Sequence, residues 1–549
     1  MSNSLWLLIF GTISCLLSIS TDSFSLHVIT SPILWLTLLV LILRRLPAQI
    51  GKVLSFLLAE VVMMASLADI FCQEQFSSPL TPQLLGIVFT TDRQEAHEFL
   101  TTFISRESLL QPRVAAILLL MLIYPLVHHR PQRIPRLTPP RPVRILAASL
   151  LFVLSIYEAQ PTLRFLQLIV TAPAAERVES MLMQRYGQEM QTPVHRLLYS
   201  WSVCRATSHT LARIRQATGE AAVETCTYAS PHIVLVIGES YNKHHSTLYG
   251  YPYDTTPHQE QRHQRGELIV FTDVVTPWNI TSNVFLELFS LWDSSAHADI
   301  GHCPLFPVLF KRAGYQVSLY SNQYIARGIG RESENQSGNF FLNDSALCDT
   351  MFTYRNTHVT KYDHQLIEQF GAKIQTLTWS SQPTLDILHL RGQHFNYSQR
   401  YPQEYAKFES AYDNATYYND AVLEALITQL QEQNVIVIYV SDHGEEVYDQ
   451  QHRHGRHFQE PTPDIARNEY EVPMWIWCSP QYRAINRSLF QAIGQAKDQP
   501  YLTDDLPQLL CHLAGIQARY LQPTRDILSP HYAPKPRLIW GSVDYDTLK

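Results

Sequence analysis

Long apolar runs are concentrated in the first third of this 549-residue chain. Several are shorter than the ~20 residues that cross a bilayer, so their ends must include flanking polar residues. The first run has no Lys or Arg before Arg44, and others follow it, which favours a retained helix over a cleaved signal peptide. We predict five transmembrane helices within residues 1–157, rather than five buried helices of a soluble protein. The runs are 5–19, 28–43, 53–71, 114–127 and 144–157.

Basic residues predict the orientation of this bundle. The loop after the second run contains Arg44, Arg45 and Lys52, and the loop after the fourth contains five arginines. The loop after the first run contains neither Lys nor Arg. Because positively charged loops remain in the cytoplasm, we expect the N-terminus inside and everything after the fifth helix outside. Residues 158–228 show mixed helical patterning, which predicts a juxtamembrane linker whose helices lie on the membrane surface, with a plain helical linker as the alternative.

After residue 229 the sequence has the pattern of an α/β domain. Three apolar, β-branched runs, at 232–238, 385–390 and 435–440, are typical of buried parallel strands. Helical stretches such as 418–432 lie between them. This alternation predicts an α/β domain with a mainly parallel sheet. In such sheets the active site forms beyond the carboxyl ends of the strands.

Carboxylate and imidazole side chains follow these predicted strands. Glu239 follows the first, Asp442 and His443 follow the third, and His389 and His394 flank the end of the second. We expect them to meet at one edge of the sheet. A mixed oxygen and nitrogen set with few thiols suits zinc or manganese.

Charge and cysteine content argue against several other functions. The net charge of −7 argues against a nucleic-acid-binding protein. The sequence contains no Gly-rich phosphate loop of the nucleotide-binding type, so we expect no nucleotide requirement. The eight cysteines form no CxxC pair, which argues against a cysteine-based zinc knuckle. In an oxidising compartment, Cys204–Cys226 or Cys303–Cys348 are candidate disulfides. Buried free thiols are an equal alternative.

Seven motifs follow one another in an order that is itself informative. They occupy residues 233–240, 248–257, 273–277, 279–282, 321–323, 389–394 and 441–446. Together with the five-helix N-terminal part, the chain resembles the lipopolysaccharide phosphoethanolamine transferases of the alkaline phosphatase/sulfatase superfamily. Segments 248–252 and 394–402 are most similar to the branch that modifies the core heptose. The resemblance covers essentially the whole chain and implies a sulfatase-like catalytic domain at 229–549.

The resemblance implies a zinc centre that contains the nucleophile. Carried over to this sequence, the zinc ligands are Glu239, Thr281, Asp442 and His443, and Thr281 is the catalytic residue. A neutral alcohol is a poor nucleophile, and coordination by a metal is one way to activate it.

Further binding residues are implied in the same way. His389, His394 and His454 would hold a second zinc ion or phosphate oxygens, with His452 and His457 as rivals of His454. The expected substrate-binding residues are Asn322 and Gln323, with Thr91 and Glu95 at the donor lipid.

The implied reaction takes phosphoethanolamine from phosphatidylethanolamine, releases diacylglycerol, and passes through a covalent intermediate on the threonine. The acceptor would be lipopolysaccharide, at the core heptose or at lipid A, with the enzyme in the inner membrane and its catalytic domain in the periplasm. A phosphoglycerol transferase shares this architecture. A sulfatase would need a C/S-x-P-x-R motif, which Cys303-Pro-Leu-Phe does not match. A non-catalytic membrane scaffold is the remaining alternative.

Overall fold

The structure is a computed structural model. It describes residues 4–19, 26–76, 106–128, 149–157, 192–296, 299–323, 340–375, 381–394, 396–449, 454–457 and 461–548, with a few isolated positions between 79 and 167. The chain divides into two compact units, Met1–Ser208 and His209–Lys549.

The first unit consists of helices among the residues that the structure describes. Their bounds are Ser4–Leu17, Leu26–Leu43, Ala48–Phe76, Arg106–Leu110 and Pro112–His128, followed by the start of Pro193–Glu220. One stretch, Ala48–Glu74, is long and apolar enough to cross a membrane, with 27 residues and a mean hydropathy of 2.0. Three shorter apolar helices coincide with the first, second and fourth predicted spans. The fifth is described at 146 and 149–157, which are helical, so the number five stays a prediction.

A buried carboxylate near the end of the long apolar helix is fully paired. Asp69 is completely buried. Its Oδ1 accepts hydrogen bonds from Arg196 Nε at 2.7 Å and from the Leu80 N–H at 3.0 Å, and its Oδ2 accepts one from Gln73 Nε2 at 2.8 Å. Because a buried charge is tolerated only when paired, these contacts explain how the helix keeps an aspartate there.

The second unit contains fifteen strands among its described residues, numbered here in chain order. They are β1 (Thr225–Cys226), β2 (His232–Gly238), β3 (Leu268–Phe271), β4 (Val274–Val275), β5 (Gln316–Ser321), β6 (Tyr354–Arg355), β7 (Thr384–His389), β8 (Val435–Ser441), β9 (Glu446–Val447), β10 (His454–Gly455), β11 (Met474–Cys478), β12 (Tyr501–Leu502), β13 (Ile516–Gln517), β14 (Leu538–Ile539) and β15 (Val543–Asp544). The helices of four or more residues that follow Pro193–Glu220 are Pro257–Gln264, Thr281–Phe289, Pro307–Arg312, Phe340–Asn343, Ser345–Met351, Asp363–Ile374, Ala411–Leu430, Pro463–Glu469, Pro480–Ile485, Arg487–Ala496 and Leu506–Ala514.

A seven-stranded sheet in the order β3-β11-β8-β2-β7-β5-β6 forms the centre of this unit. The five strands from β8 to β6 are parallel, and β11 pairs antiparallel with both of its neighbours, β8 and β3. The mainly parallel sheet is thus confirmed, with β2, β7 and β8 as the three predicted runs.

The sheet is buried on both faces, which accounts for its continuous apolar strands. Ile233, Leu235 and Ile237 belong to one hydrophobic cluster, whereas Val234 and Val236 belong to a cluster on the other face. This alternation follows from side chains pointing to opposite faces of a strand. Register places Gly238 beside Ser441, Ile237 beside His389, and His389 beside Ser321, so four strands end at one edge.

The cysteines of the two candidate disulfides are only partly described. Cys226, Cys303 and Cys348 form no disulfide among the described residues. The candidate pair Cys303–Cys348 is therefore not joined, and of these three cysteines only Cys348 is buried. The side chain of Cys204 lies outside the described part of the chain.

Candidate active site

Three predicted metal ligands converge at the carboxyl ends of β2 and β8. Glu239 directly follows β2, and Asp442 and His443 directly follow β8; all three are completely buried. One ligand atom from each lies within 4.8 Å of the others. His443 Nε2 is 3.3 Å from Asp442 Oδ2 and 3.5 Å from Glu239 Oε1.

The predicted nucleophile lies against this group. Thr281 is the first residue of the helix Thr281–Phe289. Its Oγ1 is 3.3 Å from Glu239 Oε2 and 3.2 Å from His443 Nε2. A helix N-terminus presents free N–H groups and a positive partial charge, which favours an anion beside it. The position therefore suits a hydroxyl that reacts with a phosphate.

Hydrogen bonds orient the ligand atoms. Asp442 Oδ1 accepts the backbone N–H groups of Ser240 at 3.0 Å and of His443 at 2.7 Å. Its Oδ2 is buried and has no hydrogen-bond partner among the described residues. The Nδ1–H of His443 donates to the Gly444 carbonyl at 2.7 Å, which leaves the Nε2 lone pair directed at the carboxylates. Two carboxylates, an imidazole nitrogen and a hydroxyl fit a divalent metal such as zinc.

The electrostatics of the site agree with metal binding. Burial lowers the pKa of His443 to about 3, and that of His389 to about 4, so both imidazoles are neutral at neutral pH. Burial would raise the pKa of Glu239, but the nearby His394, the charge of Arg456 and a hydrogen bond from Gln323 outweigh burial and keep that pKa well below the usual range. Burial and the charge of Glu239 raise the pKa of Asp442. A cation would relieve this repulsion between carboxylates.

Three of the residues predicted to bind phosphate or substrate, Gln323, His389 and His394, lie near Glu239, and Gln323 contacts it directly. Gln323 Nε2 donates to Glu239 Oε2 at 2.9 Å and lies 3.0 Å from His389 Nε2. His389 Nδ1 is 3.1 Å from Ser321 Oγ. His394 is buried and lies close enough to Glu239 to lower its pKa.

The other predicted residues are placed differently. Asn322 directs its side chain at Asp363, 2.8 Å away, and at the backbone of Thr360. The backbone of His454 lies in β10, but its side chain is outside the described part, as are Thr91 and Glu95.

The sequence prediction missed several residues around the site. Arg456 Nη1 lies 3.1 Å from His443 Nε2. Ser240 Oγ donates to Glu239 Oε1 at 2.7 Å. His457, a rival for the role of His454, instead pairs its ring with Glu469. Arg456 lies within the segment of clustered histidines, and this cluster indicated that the segment could reach the site. Only the tertiary fold shows which of its residues does so.

Comparisons with known proteins agree with this geometry. A family model described as "Sulfatase" matches residues 231–516. Phosphoethanolamine transferase EptC of Escherichia coli strain K12 is 29% identical over 352 residues, which cover 58% of this chain and 57% of EptC. The chain thus spans little more than half the length of that relative. Phosphoethanolamine transferase CptA of Salmonella typhimurium is 25% identical over 538 residues, covering 90% of this chain and 87% of CptA.

Solved structures give the same result. The C-terminal periplasmic domain of EptC from Escherichia coli has a TM-score of 0.50 and 27% identity, covering 60% of this chain and 95% of that domain. The integral membrane protein EptA from Neisseria meningitidis has a TM-score of 0.53 at 18% identity, covering 95% of this chain and 96% of EptA. This second match concerns the fold alone, and it extends over the N-terminal helices. With its buried Glu-Asp-His group at the end of a mainly parallel sheet, and with more than half of its length matched, the chain belongs to the sulfatase family.

Proposed function

We propose that this chain is a zinc-dependent transferase that moves phosphoethanolamine from phosphatidylethanolamine to lipopolysaccharide. The observation that carries the proposal is the position of Thr281 Oγ1, at the start of a helix and 3.3 Å from a carboxylate of the metal-ligand group. The names of EptC and CptA support the choice of phosphoethanolamine. A sulfatase is disfavoured because the residue at the nucleophile position is a threonine, which cannot mature to formylglycine.

Glu239, Asp442 and His443 would hold the zinc ion, which would lower the pKa of the threonine hydroxyl and polarise the phosphate. Thr281 Oγ attacks the donor phosphorus, and the bond from phosphorus to the diacylglycerol oxygen breaks. The proton lost by Thr281 is balanced by the one that diacylglycerol gains. The acceptor oxygen then attacks the phosphothreonine, which restores the hydroxyl. The free N–H groups of the Thr281–Phe289 helix offset negative charge on the phosphoryl group.

His389, His394 and His454 are proposed to hold phosphate oxygens or a second zinc ion. Gln323, which donates to Glu239 Oε2 at 2.9 Å, orients that carboxylate. Thr91 and Glu95 are proposed for the donor lipid. The basic loops of the N-terminal part support an inner-membrane protein with its catalytic domain in the periplasm. The acceptor position is proposed to be the core heptose or lipid A.

Intact mass spectrometry of the zinc-loaded full chain, after incubation with phosphatidylethanolamine, tests the proposal. Wild type should gain the mass of one phosphoethanolamine group, and Thr281→Ala should gain nothing. Ser282→Ala is the matched control, because it removes the adjacent hydroxyl and should leave the adduct in place. An adduct on Thr281→Ala would refute the assigned nucleophile. An adduct on wild type with phosphatidylglycerol alone would identify a phosphoglycerol transferase.

A further inference from the structure

One cationic side chain lies at the ligand atoms of the site with no assigned role. Arg456 directly follows β10, whose two residues pair with β9 in an antiparallel ladder. On its other side, the His457 N–H donates to Glu469 Oε2 at 3.0 Å, and Asn279 Nδ2 donates to the His457 carbonyl at 2.7 Å. The backbone on both sides of Arg456 is therefore held in place.

The guanidinium contacts a metal ligand directly. Arg456 Nη1 is 3.1 Å from His443 Nε2. Because the Nδ1–H of His443 donates to the Gly444 carbonyl, Nε2 is the accepting nitrogen and Arg456 is the donor. Within the described part of the chain, no carboxylate lies within ion-pair distance of this guanidinium. Arg456 thus brings a positive charge to the ligand atoms, and this charge lowers the pKa of Glu239 and opposes the rise that burial causes in the pKa of Glu445.

The same nitrogen has only one lone pair. It binds either the guanidinium N–H or a divalent metal, and a bound metal ion would also repel the guanidinium. Thr281 Oγ1 lies 3.2 Å from this nitrogen, so Arg456 and the nucleophile flank one atom. A phosphoryl group attacked by Thr281 would therefore lie within reach of a guanidinium that metal binding had released. Arginine suits this role because its fork of N–H groups matches phosphate oxygens.

We propose that Arg456 is a phosphate-binding residue of this site, which exchanges between His443 Nε2 and the non-bridging oxygens of the phosphoryl group; this assignment rests on the proposed function. The assignment predicts opposite changes in the affinities for zinc and for phosphate. Removing the guanidinium should strengthen zinc binding, because no Arg–His hydrogen bond has to break. It should weaken the binding of phosphate to the zinc-loaded protein.

Isothermal titration calorimetry on the full chain in detergent measures both affinities, with zinc alone and then with inorganic phosphate on the zinc-loaded protein. Arg456→Gln should bind zinc about 2- to 10-fold more tightly and phosphate about 10- to 100-fold more weakly. Arg467→Gln is the matched control, because Arg467 Nη2 makes a similar contact, 3.0 Å from His244 Nδ1, and its loss should change neither affinity. Arg456→Lys, which keeps the charge without the fork, should weaken phosphate binding less than Arg456→Gln does.

Unchanged phosphate affinity in Arg456→Gln, or weaker zinc binding, would overturn the assignment. These results separate it from the proposed function. If wild type forms no adduct with phosphatidylethanolamine, the proposed donor is wrong, yet the two affinities still decide the role of Arg456. If wild type forms the adduct and Arg456→Gln binds phosphate normally, only the assignment of Arg456 fails.

Discussion

Replacing Asp442 with asparagine should separate metal binding from folding stability. Asp442 Oδ1 accepts the N–H groups of Ser240 and His443, and an asparagine oxygen can accept both in the same place. Oδ2 is buried without a hydrogen-bond partner among the described residues. The substitution keeps the shape of the side chain and removes one negative charge from the ligand group.

The two expected effects have opposite signs. A buried polar atom without a partner costs roughly 1–3 kcal/mol, and more when it is charged. We therefore expect metal-free Asp442→Asn to be more stable than wild type by about 1 kcal/mol or more. Mutating a residue that hydrogen-bonds to a metal ligand lowers metal affinity about 10- to 100-fold. Losing a ligand itself should therefore lower zinc affinity at least about 100-fold. At a fixed zinc excess, that removes about 2.7 kcal/mol of zinc-linked stabilisation.

Thermal unfolding of the full chain in detergent, with a chelator and with zinc, measures both effects. Asp420→Asn is the matched control, because Asp420 is also completely buried but accepts the N–H groups of His258 and Gln259, one on each oxygen. An asparagine there must face one of these donors with its own NH₂ group. Asp420→Asn should thus lose stability in both conditions and keep the zinc-dependent shift. If metal-free Asp442→Asn is less stable than wild type, or if its zinc-dependent shift is unchanged, the reasoning is wrong.

Two further predictions concern the surroundings of the site. Gly392 has φ +49°, and a Cβ there would lie 2.9 Å from the backbone N and O of Glu239. Gly392→Ala should therefore lower the zinc affinity measured by calorimetry and add about 1–2 kcal/mol of backbone strain. Gly494→Ala is the control, because a Cβ there meets nothing within 4 Å, and it should have neither effect. Burial would lower the pKa of His245, but hydrogen bonds to carboxylates including Asp413 raise it to about 9. The protonated His245 should therefore contribute about 3 kcal/mol to the free energy of unfolding, in full below pH 6.5 and lost as pH rises through 9. Urea unfolding measured across this pH range should show a flatter dependence of stability on pH for His245→Gln than for wild type. Equal pH dependence in the two proteins would argue against the pairing.

The sequence predicted the centre of the sheet because its strands carry a strong signal. β2 and β8 are apolar at almost every position, as strands buried on both faces must be. β5 was missed because Gln316, Ser318 and Ser321 interrupt its apolar residues, although most of the strand is buried. The antiparallel β11 was missed as well. Its five residues are all apolar and buried, but only Ile476 among them is β-branched, so the run lacks the β-branched pattern that marks β2 and β8.

The candidate site shows the same division. Glu239, Asp442 and His443 were predictable because each directly follows a recognisable strand, and Thr281 because of its motif. Arg456 was not, because its position depends on the short β9–β10 ladder within a His-rich segment that has no periodic pattern. A local pattern identifies a residue at a strand end, whereas a residue that reaches the site from a loop needs the tertiary fold.

The pairing of β2 with β8 has a consequence for how the protein is made. The hydrogen bond from the Ser240 N–H to Asp442 spans 202 residues of chain, and the contact between Thr281 and His443 spans 162. Contacts between such distant segments form late in folding, because the entropy of closing a long loop opposes them. Before the last of the parallel strands docks, the carboxylates of the site are far apart and bind a metal ion weakly. Metal loading therefore follows chain assembly, and a molecule that holds a metal ion at this site has finished folding its sheet.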